Sequence, residues 1–225
     1  MSLMLRRGMM LETPQGGRLP AEYQEVEYLQ SSGTQYIDTG YTPNPSTLDS
    51  FYIKFSDYIA PSSVYDFKPI CGCNRIGYLR EFYIGYYVDQ ALYLTICPPT
   101  QKRIKICNVA TGQTLNNIIS LDYVVGDSVD IIIGEEHNIV SFTDVGWYVD
   151  GQSMCLFAAK SYVGDVSCSS VKIYSVAINM KSGTDMLFVP CYRKSDSEPG
   201  MYDLVNDVFY TNAGTGEFTV GPNVN

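Results

Sequence analysis

Histidine and tryptophan are almost absent from this sequence, with one residue of each, His137 and Trp147, among 225. A zinc site built from several histidines is therefore excluded, and any Ser-His or Cys-His nucleophile has to use His137. His137 follows two glutamates and lies near Ser141 and Asp144, but no Gly-x-Ser-x-Gly elbow accompanies it. This pattern predicts a surface histidine rather than a hydrolytic triad.

Positive charge and long apolar runs are also scarce. The chain has 15 Lys and Arg against 24 Asp and Glu, which gives a formal net charge of -9. This balance argues against a nucleic-acid backbone or an anionic membrane surface as partner. No apolar run approaches the ~20 residues of a transmembrane helix, and the apolar stretch near the N-terminus is too short for a secretion signal. We therefore expect no membrane insertion, no secretion signal and synthesis in the cytoplasm.

No long window carries a helical stripe of apolar residues, whereas strand and turn residues are abundant, with 19 Tyr, 9 Phe and 19 Gly. Apolar residues alternate over residues 48–58 and place Phe51, Ile53 and Phe55 on one face of a strand. Further strands are predicted at residues 81–88, 91–96, 103–109, 128–133, 138–142, 146–149, 153–158, 170–176 and 186–190.

These short, regularly spaced strands predict an all-β protein, specifically a two-sheet antiparallel β-sandwich over residues 19–225. A terminal hairpin is expected around Asn206 and Asp207. Residues 1–18 are Met-rich and basic and contain a Pro and Gly linker, which predicts a short N-terminal arm. The arm is either flexible or ordered by docking on a larger assembly.

The seven cysteines are an odd number and lack the paired spacing of a zinc site, which predicts buried free thiols and no metal. Calcium stays open as an alternative to no cofactor. Asp122, Asp127 and Asp130 lie close together in sequence, as do Asp203 and Asp207. Neither group has the pattern of an EF-hand loop, and solvated turns are the favoured explanation for both.

Six segments carry a resemblance to a known family. They are residues 19–40 (LPAEYQEVEYLQSSGTQYIDTG), 147–151 (WYVDG), 171–178 (VKIYSVAI), 188–194 (FVPCYRK), 200–206 (GMYDLVN) and 209–218 (FYTNAGTGEF). In these segments the chain resembles a concanavalin A-like, laminin-G-like domain of the type found in gut Firmicutes and their bacteriophages. The resemblance spans nearly all of residues 19–221.

The resemblance implies a concanavalin A-like jelly roll and a lectin-like or adhesive module rather than a catalyst. It further implies a virion protein, such as a tail, baseplate or decoration protein, that forms a homo-oligomer. Its partners would be host cell-surface or wall glycans and other virion proteins. The arm residues Arg6, Arg7, Met9 and Met10 would suit attachment to the virion.

Sugar binding requires an aromatic ring for the apolar face of the sugar and polar groups for its hydroxyls. The candidate ligand-binding residues are aromatic side chains in or near predicted strands: Trp147, Tyr148, Tyr78, Tyr83 and Tyr87. In a strand, Tyr83 and Tyr87 share one face. Phe82, Ile84 and Tyr86 share the other, and one of these two sets is expected to be core. Core or cross-strand packing is the alternative for each tyrosine.

Glycoside hydrolases of the same superfamily need two carboxylates that face one glycosidic bond. The Glu-x-Asp-x-x-Glu run of the laminarinase-like branch is missing, and the adjacent Glu135 and Glu136 point to opposite faces if extended. We therefore predict that the chain is not an enzyme but a carbohydrate-binding or adhesion module that contacts host surface glycans. A structural virion protein that packs against neighbouring subunits is the alternative, with a glycoside hydrolase third.

Overall fold

Every regular element in the described residues is a β-strand, as the sequence predicts. The structure is a computed structural model that describes residues 18–63, 66–73, 81–87, 89–96, 102–125, 127–141, 151–161, 164–183 and 185–225. Within these ranges, no helix is long and apolar enough to cross a membrane.

The strands follow one another closely along the chain. In chain order they are β1 (Tyr23–Glu25), β2 (Leu29–Ser32), β3 (Ile37–Asp38), β4 (Leu48–Ser56), β5 (Tyr58–Ile59), β6 (Pro69–Cys73), β7 (Phe82–Tyr87), β8 (Ala91–Ile96), β9 (Lys102–Asn108), β10 (Thr114–Leu115), β11 (Ile119–Val124), β12 (Ser128–Ile133), β13 (Glu136–Ser141), β14 (Cys155–Leu156), β15 (Ala158–Lys160), β16 (Val166–Cys168), β17 (Ser170–Met180), β18 (Met186–Arg193), β19 (Pro199–Asp203), β20 (Val208–Thr211) and β21 (Thr219–Val220).

Two sheets contain nearly all of these strands. The larger sheet is antiparallel and runs in the order β13-β12-β11-β4-β17-β18-β19-β20, with β1 added to β18, β2 to β17 and β21 to β2. The smaller sheet runs in the order β16-β15-β6-β7-β8-β9, and β14 pairs with β3 and β6. Its pairings are antiparallel except that β15 meets β6 in parallel. Strands β5 and β10 form a separate two-stranded ribbon.

The core lies between the two sheets, which pack face to face as a β-sandwich. The ring of Phe51 on β4 stands edge-on to that of Phe82 on β7, with centroids 5.5 Å apart. Phe51, Ile53 and Phe55 are each at most 1% exposed, so the predicted buried face of residues 48–58 is confirmed. Burying each such side chain contributes about 1.5–3 kcal/mol relative to leaving it in water.

A β-bulge at Tyr174 keeps the long strand β17 amphipathic. Opposite β4, the pairing passes directly from Ile173 to Ser175, so Tyr174 is an extra residue in β17. An extra residue inverts the alternation of side chains between the two faces. Val171 and Ile173 before the bulge and Val176 after it are therefore all buried in the core, although their spacing is not a strict period of two.

The predicted C-terminal hairpin is confirmed, with β19 and β20 joined by a turn at residues 204–207. Asp203 is completely buried at the start of this turn. Its Oδ1 accepts hydrogen bonds from the Leu187 and Val205 amides, each at 3.0 Å, and its Oδ2 accepts one from Asn206 Nδ2 at 2.7 Å. The carboxylate therefore joins the turn to strand β18 instead of facing solvent.

Residues near both ends of the sandwich are hydrogen-bonded to each other. The Glu27 amide donates to the Pro222 carbonyl at 2.9 Å, and the Val224 amide donates to the Glu25 carbonyl at 3.0 Å. Gln24 Nε2 adds a bond to the Val224 carbonyl at 3.1 Å. Residues 24–27 and 222–224 therefore form one continuous hydrogen-bonded seam.

The predicted arm and one predicted strand fall outside the described residues. Arg6, Arg7, Met9 and Met10 lie outside them, as does the strand expected at residues 146–149. Arg18 is described, and its guanidinium forms an ion pair with Glu25 on β1.

Candidate functional site

A row of cross-strand neighbours runs across the outer face of the smaller sheet. The registers between β3, β14, β6, β7, β8 and β9 place the members directly opposite one another: Asp38, Cys155, Gly72, Tyr83, Thr95 and Arg103. Their chain neighbours Leu156, Phe82 and Ile104 belong to the core. Because side chains alternate along a strand, this row faces away from the core.

Tyr83 lies on this outer face, so the set of Phe82, Ile84 and Tyr86 is the one that faces the core, but the Tyr83 ring is folded down onto the sheet. A Cβ built on Gly85 would lie 3.0 Å from Tyr83 Cδ2, so the ring occupies the space that the glycine leaves free. The Phe67 ring covers it edge-on, with centroids 5.0 Å apart, and leaves Tyr83 5% exposed. Burial raises the pKa of Tyr83 to about 12. Tyr83 therefore forms part of the floor and offers little surface to a ligand.

Tyr87 remains half-buried and accessible further along the same face. The Arg103 guanidinium carbon lies 3.6 Å from the centre of the Tyr87 ring, which is a close cation–π contact. The Tyr93 ring meets that of Tyr87 edge-on, with centroids 6.1 Å apart. We call Tyr87, Tyr93 and Arg103 the aromatic-arginine patch. Partly exposed rings beside a fixed guanidinium can bind the apolar face of a sugar and its oxygen atoms together.

Sequence reasoning missed Tyr93 and Arg103. Asp89 accepts a hydrogen bond from the Tyr93 hydroxyl, and this bond raises the pKa of Tyr93 and fixes its ring. The signal in the sequence is the apolar and polar alternation of β8, which places Tyr93 and Thr95 on the face opposite Leu92 and Leu94. Arg103 could be placed only once its register with Thr95 was known.

A cleft of about 390 Å³ opens beside β16, at the opposite end of the smaller sheet from β9. It is lined by Gly33, Thr34, Tyr36, Phe67, Lys68, Val166, Ser167, Cys168, Gly214 and Thr215. We call it the β16 cleft. Phe67 lines the cleft and also covers Tyr83, so this ring contacts both the cleft and the row described above.

Tyr36 and Cys168 form the inner part of the cleft wall, packed in a small cluster with Cys155. Burial raises the pKa of the Tyr36 hydroxyl, and the nearby Cys155 raises it further. Burial also raises the pKa of the Cys168 thiol, whereas the Lys68 ammonium lowers it. The thiol thus remains neutral at physiological pH, and Lys68 lies close enough to affect it.

The outer face of the larger sheet also carries tyrosines, but they are engaged with one another. The Tyr28 and Tyr174 rings meet edge-on at 5.6 Å, and the Tyr174 hydroxyl is 3.0 Å from Ser56 Oγ. Lys172 Nζ lies 4.4 Å from the centre of the Tyr28 ring and 2.6 Å from Asp57 Oδ2. These contacts stabilise the sheet surface, so part of the tyrosine content is structural.

The acidic and histidine candidates take structural positions. The side chain of His137 is 57% exposed, with Nδ1 3.5 Å from Asp130 Oδ2, which confirms the predicted surface histidine. Glu135 is exposed in the turn before β13, and Glu136 is exposed as the first residue of that strand. The Asp203 carboxylate accepts hydrogen bonds from residues of its turn. The described ranges contain no group of three or more His, Cys, Asp or Glu arranged to hold a metal ion.

The cysteines are free thiols, as predicted, wherever the structure describes them. Cys71, Cys73, Cys155, Cys168 and Cys191 are buried and Cys107 is half-buried. Burial raises the pKa of Cys191 from 9.0 to about 12 and that of Cys107 to about 11.

These shifts predict a loss of stability in alkaline solution. An unfolded thiol ionises near pH 9.0, whereas folded Cys191 keeps its proton up to about pH 12. The buried Cys191 thiol therefore contributes fully to the free energy of unfolding below pH 9. Above pH 9 this contribution is lost at up to ~1.4 kcal/mol per pH unit. Urea unfolding of Cys191→Ala should show a smaller alkaline slope than the wild type. Cys107→Ala, the control, should differ from wild type in slope only up to about pH 11. Identical slopes in all three proteins would contradict the burial of these thiols.

Several predicted site residues lie outside the described residues, namely Trp147, Tyr148 and Tyr78, as does Cys97. Of the five candidate ligand-binding residues, the structure therefore places two on one sheet face, Tyr83 in its floor and Tyr87 in the aromatic-arginine patch.

No protein-family model and no curated protein matches the chain. Among solved structures it is similar to Scytalido-glutamic peptidase with a peptide-based transition-state analogue, at 10% identity and a TM-score of 0.31, over 85% of this chain and 99% of that one. It is also similar to SCP-B, a member of the eqolisin family of peptidases, in complex with the tripeptide Ala-Ile-His. That match has 10% identity and a TM-score of 0.29, over 88% of this chain and 99% of the other.

These matches correct the prediction that the chain is not an enzyme, because both of the similar structures are peptidases. That prediction rested on a missing glycosidase motif, and a missing motif for one reaction does not exclude a different reaction. With TM-scores of 0.31 and 0.29, the matches assign neither an activity nor a catalytic residue to this chain.

Proposed function

We propose that the chain is a carbohydrate-binding, adhesive protein that contacts glycans through the outer face of its smaller sheet. The observation that carries this proposal is the aromatic-arginine patch, in which Tyr87 and Tyr93 are half-buried and Arg103 is stacked at 3.6 Å. The rings supply apolar area at a small cost in side-chain entropy. The guanidinium supplies several hydrogen-bond donors in a fixed geometry for sugar oxygens.

The sheet surface around the patch suits an extended ligand. Gly72 and Gly85 carry no side chains, and the Tyr83 ring lies flat over Gly85. The sheet surface between the aromatic-arginine patch and Phe67 is therefore shallow. Lys105 pairs with Tyr93 across β8 and β9 and is exposed at the edge of the aromatic-arginine patch. Affinity at one such site is expected to be low and to rise when many copies bind together.

The finer features of the family resemblance belong to the same proposal. We propose that the two sheets form the concanavalin A-like jelly roll, and that the protein works as an oligomer on a phage particle, in contact with host surface or wall glycans. Residues 1–18 would then dock on other virion proteins. These statements are supported by the motifs at residues 19–40 and 171–218.

A glycan array that includes Gram-positive wall polysaccharides tests the proposal, with the full chain displayed multivalently. We expect selective binding, and Tyr93→Ala should weaken it at least tenfold, or about 1.4 kcal/mol. Tyr52→Ala is the matched control, because Tyr52 is a half-buried tyrosine on the outer face of the other sheet. Equal binding by Tyr93→Ala and wild type, with both folded by circular dichroism, would place the site elsewhere.

Packing against neighbouring subunits is the second candidate function, and the terminal strand β13 favours it. Ile139 in this strand is 60% exposed, and most of its neighbours in β13 are exposed too. Among the described residues β13 is the last strand of its sheet, and an edge strand with an exposed aliphatic side chain is a surface on which another chain can add. Under this alternative the chain self-associates in sedimentation velocity and binds nothing on the array.

A further inference from the structure

The β16 cleft has a positively charged wall in an acidic protein. Lys68 is the one charged residue among the ten that line the cleft, whereas the chain as a whole carries a formal charge of -9. Within the described residues, no carboxylate forms an ion pair with the Lys68 ammonium. The Cys168 thiol beside it stays neutral, because burial raises its pKa. A half-buried cation that pairs with no carboxylate of the described ranges favours an anionic ligand.

The rest of the cleft wall is built for a polar ligand with an apolar face. Tyr36 and Phe67 present half-buried rings, and Ser167 and Thr215 bring hydroxyl groups to the rim. A cleft of a few hundred Å³ that combines aromatic rings with a few convergent polar groups is in the range of small-ligand sites. Among common ligands, a sugar that bears a carboxylate combines an apolar ring face, hydroxyls and a negative charge.

The wall of the cleft formed by the loops at Thr34 and Gly214 is held in a fixed shape. A Cβ on Gly214 would lie 2.2 Å from the Thr34 carbonyl oxygen, so the two loops that carry these residues are in close contact. Asn212 Oδ1 accepts hydrogen bonds from the Tyr36 amide at 3.1 Å and the Gly214 amide at 2.8 Å. Little conformational entropy is therefore lost in this wall when a ligand enters.

We propose that the β16 cleft binds a carboxylate-bearing sugar, such as a uronic acid, with its carboxylate on Lys68 and its ring against Tyr36 and Phe67. This inference rests on the proposed function in taking a saccharide as the ligand, and it adds a second site and an acidic class of sugar.

Binding of D-glucuronate, compared with D-glucose, to the full chain tests the proposal by amide chemical shifts in NMR. Glucuronate should shift the amides of Gly33, Gly214 and Thr215, and glucose should bind at least tenfold more weakly. Lys68→Met should weaken glucuronate binding at least tenfold, while Lys54→Met, on the outer face of the larger sheet, should leave it unchanged. Affinity should also fall as salt concentration rises, because an ion pair is screened.

The proposal is overturned if the two sugars bind equally, if Lys68→Met binds glucuronate as wild type does, or if the shifted amides lie outside the cleft. Tyr93→Ala separates this proposal from the glycan-binding function. Array binding that depends on Tyr93, without glucuronate binding, means that the cleft proposal alone fails. Glucuronate binding that Tyr93→Ala leaves intact supports the cleft even if the outer face binds no glycan.

Discussion

Replacing Gly72 by alanine is expected to lower the free energy of unfolding by about 3–6 kcal/mol, from backbone strain and overpacking together. Gly72 has a φ of +133°, and a Cβ there would lie 2.2 Å from the Phe82 carbonyl oxygen and 2.5 Å from Tyr83 Cα. These are main-chain and Cα atoms of the neighbouring strand β7, so no side-chain rotation relieves the clash. The strands must separate at the centre of the smaller sheet.

Urea unfolding of the soluble variant measures this loss, and Gly112→Ala is the matched control. Gly112 also has a positive φ, of +73°, but nothing lies within 4 Å of its Cβ position. Its substitution should cost only the left-handed strain of about 1–2 kcal/mol. If the two variants lose the same stability, the close approach of β7 to Gly72 is not the cause. Because most domains are stable by about 5–15 kcal/mol, Gly72→Ala is expected to reduce soluble yield as well.

Removing the Asp203 carboxylate is the other change with a large expected effect. Asp203→Ala should cost about 3–5 kcal/mol, because three donors lose a charged acceptor and the Leu187 amide stays part-buried without one. Asp203→Asn should cost less, since its amide oxygen can still accept from Leu187 and Val205. Its new NH2 group, however, would face the donor Nδ2 of Asn206.

The graded loss is measured by thermal and urea unfolding of Asp203→Ala, Asp203→Asn and Glu135→Ala. Glu135 is an exposed carboxylate in the turn before β13, and its removal should change stability by no more than about 0.5 kcal/mol. A stability of Asp203→Ala equal to that of Glu135→Ala would show that the buried carboxylate does not hold the turn to β18. A loss in Asp203→Asn as large as in Asp203→Ala would assign the effect to charge rather than to the accepted hydrogen bonds.

Much of the strand content could be predicted because it depends on local alternation. The alternating segment at Phe51, Ile53 and Phe55 forms the buried face of β4, and the predicted strands at 91–96 and 128–133 match β8 and β12. In β17 the alternation changes phase at Tyr174, and only the pairing with β4 shows the bulge responsible. Sheet order and register depend on contacts between residues far apart in sequence, and a single chain pattern does not contain them.

The candidate site was predictable only in part, for the same reason. Sequence alternation correctly placed Tyr83 and Tyr87 on the face opposite Phe82 and Ile84. It did not show that Gly85 lets the Tyr83 ring lie flat, or that Tyr93 and Arg103 from two other strands complete the patch around Tyr87. The β16 cleft was missed entirely, since its walls come from four separate parts of the chain, near residues 34, 67, 167 and 215.

The seam between residues 24–27 and 222–224 has a consequence for the biosynthesis of this protein. Strand β4 pairs with β17, more than a hundred positions later, and β2 pairs with both β17 and β21. Vectorial translation therefore delivers the first strands long before their partners leave the ribosome. Pairings so distant in sequence form slowly, and exposed strand edges in the meantime favour aggregation. We expect nascent chains truncated before β17 to recruit chaperones and to remain protease-sensitive, with compact structure appearing only after β21 has emerged.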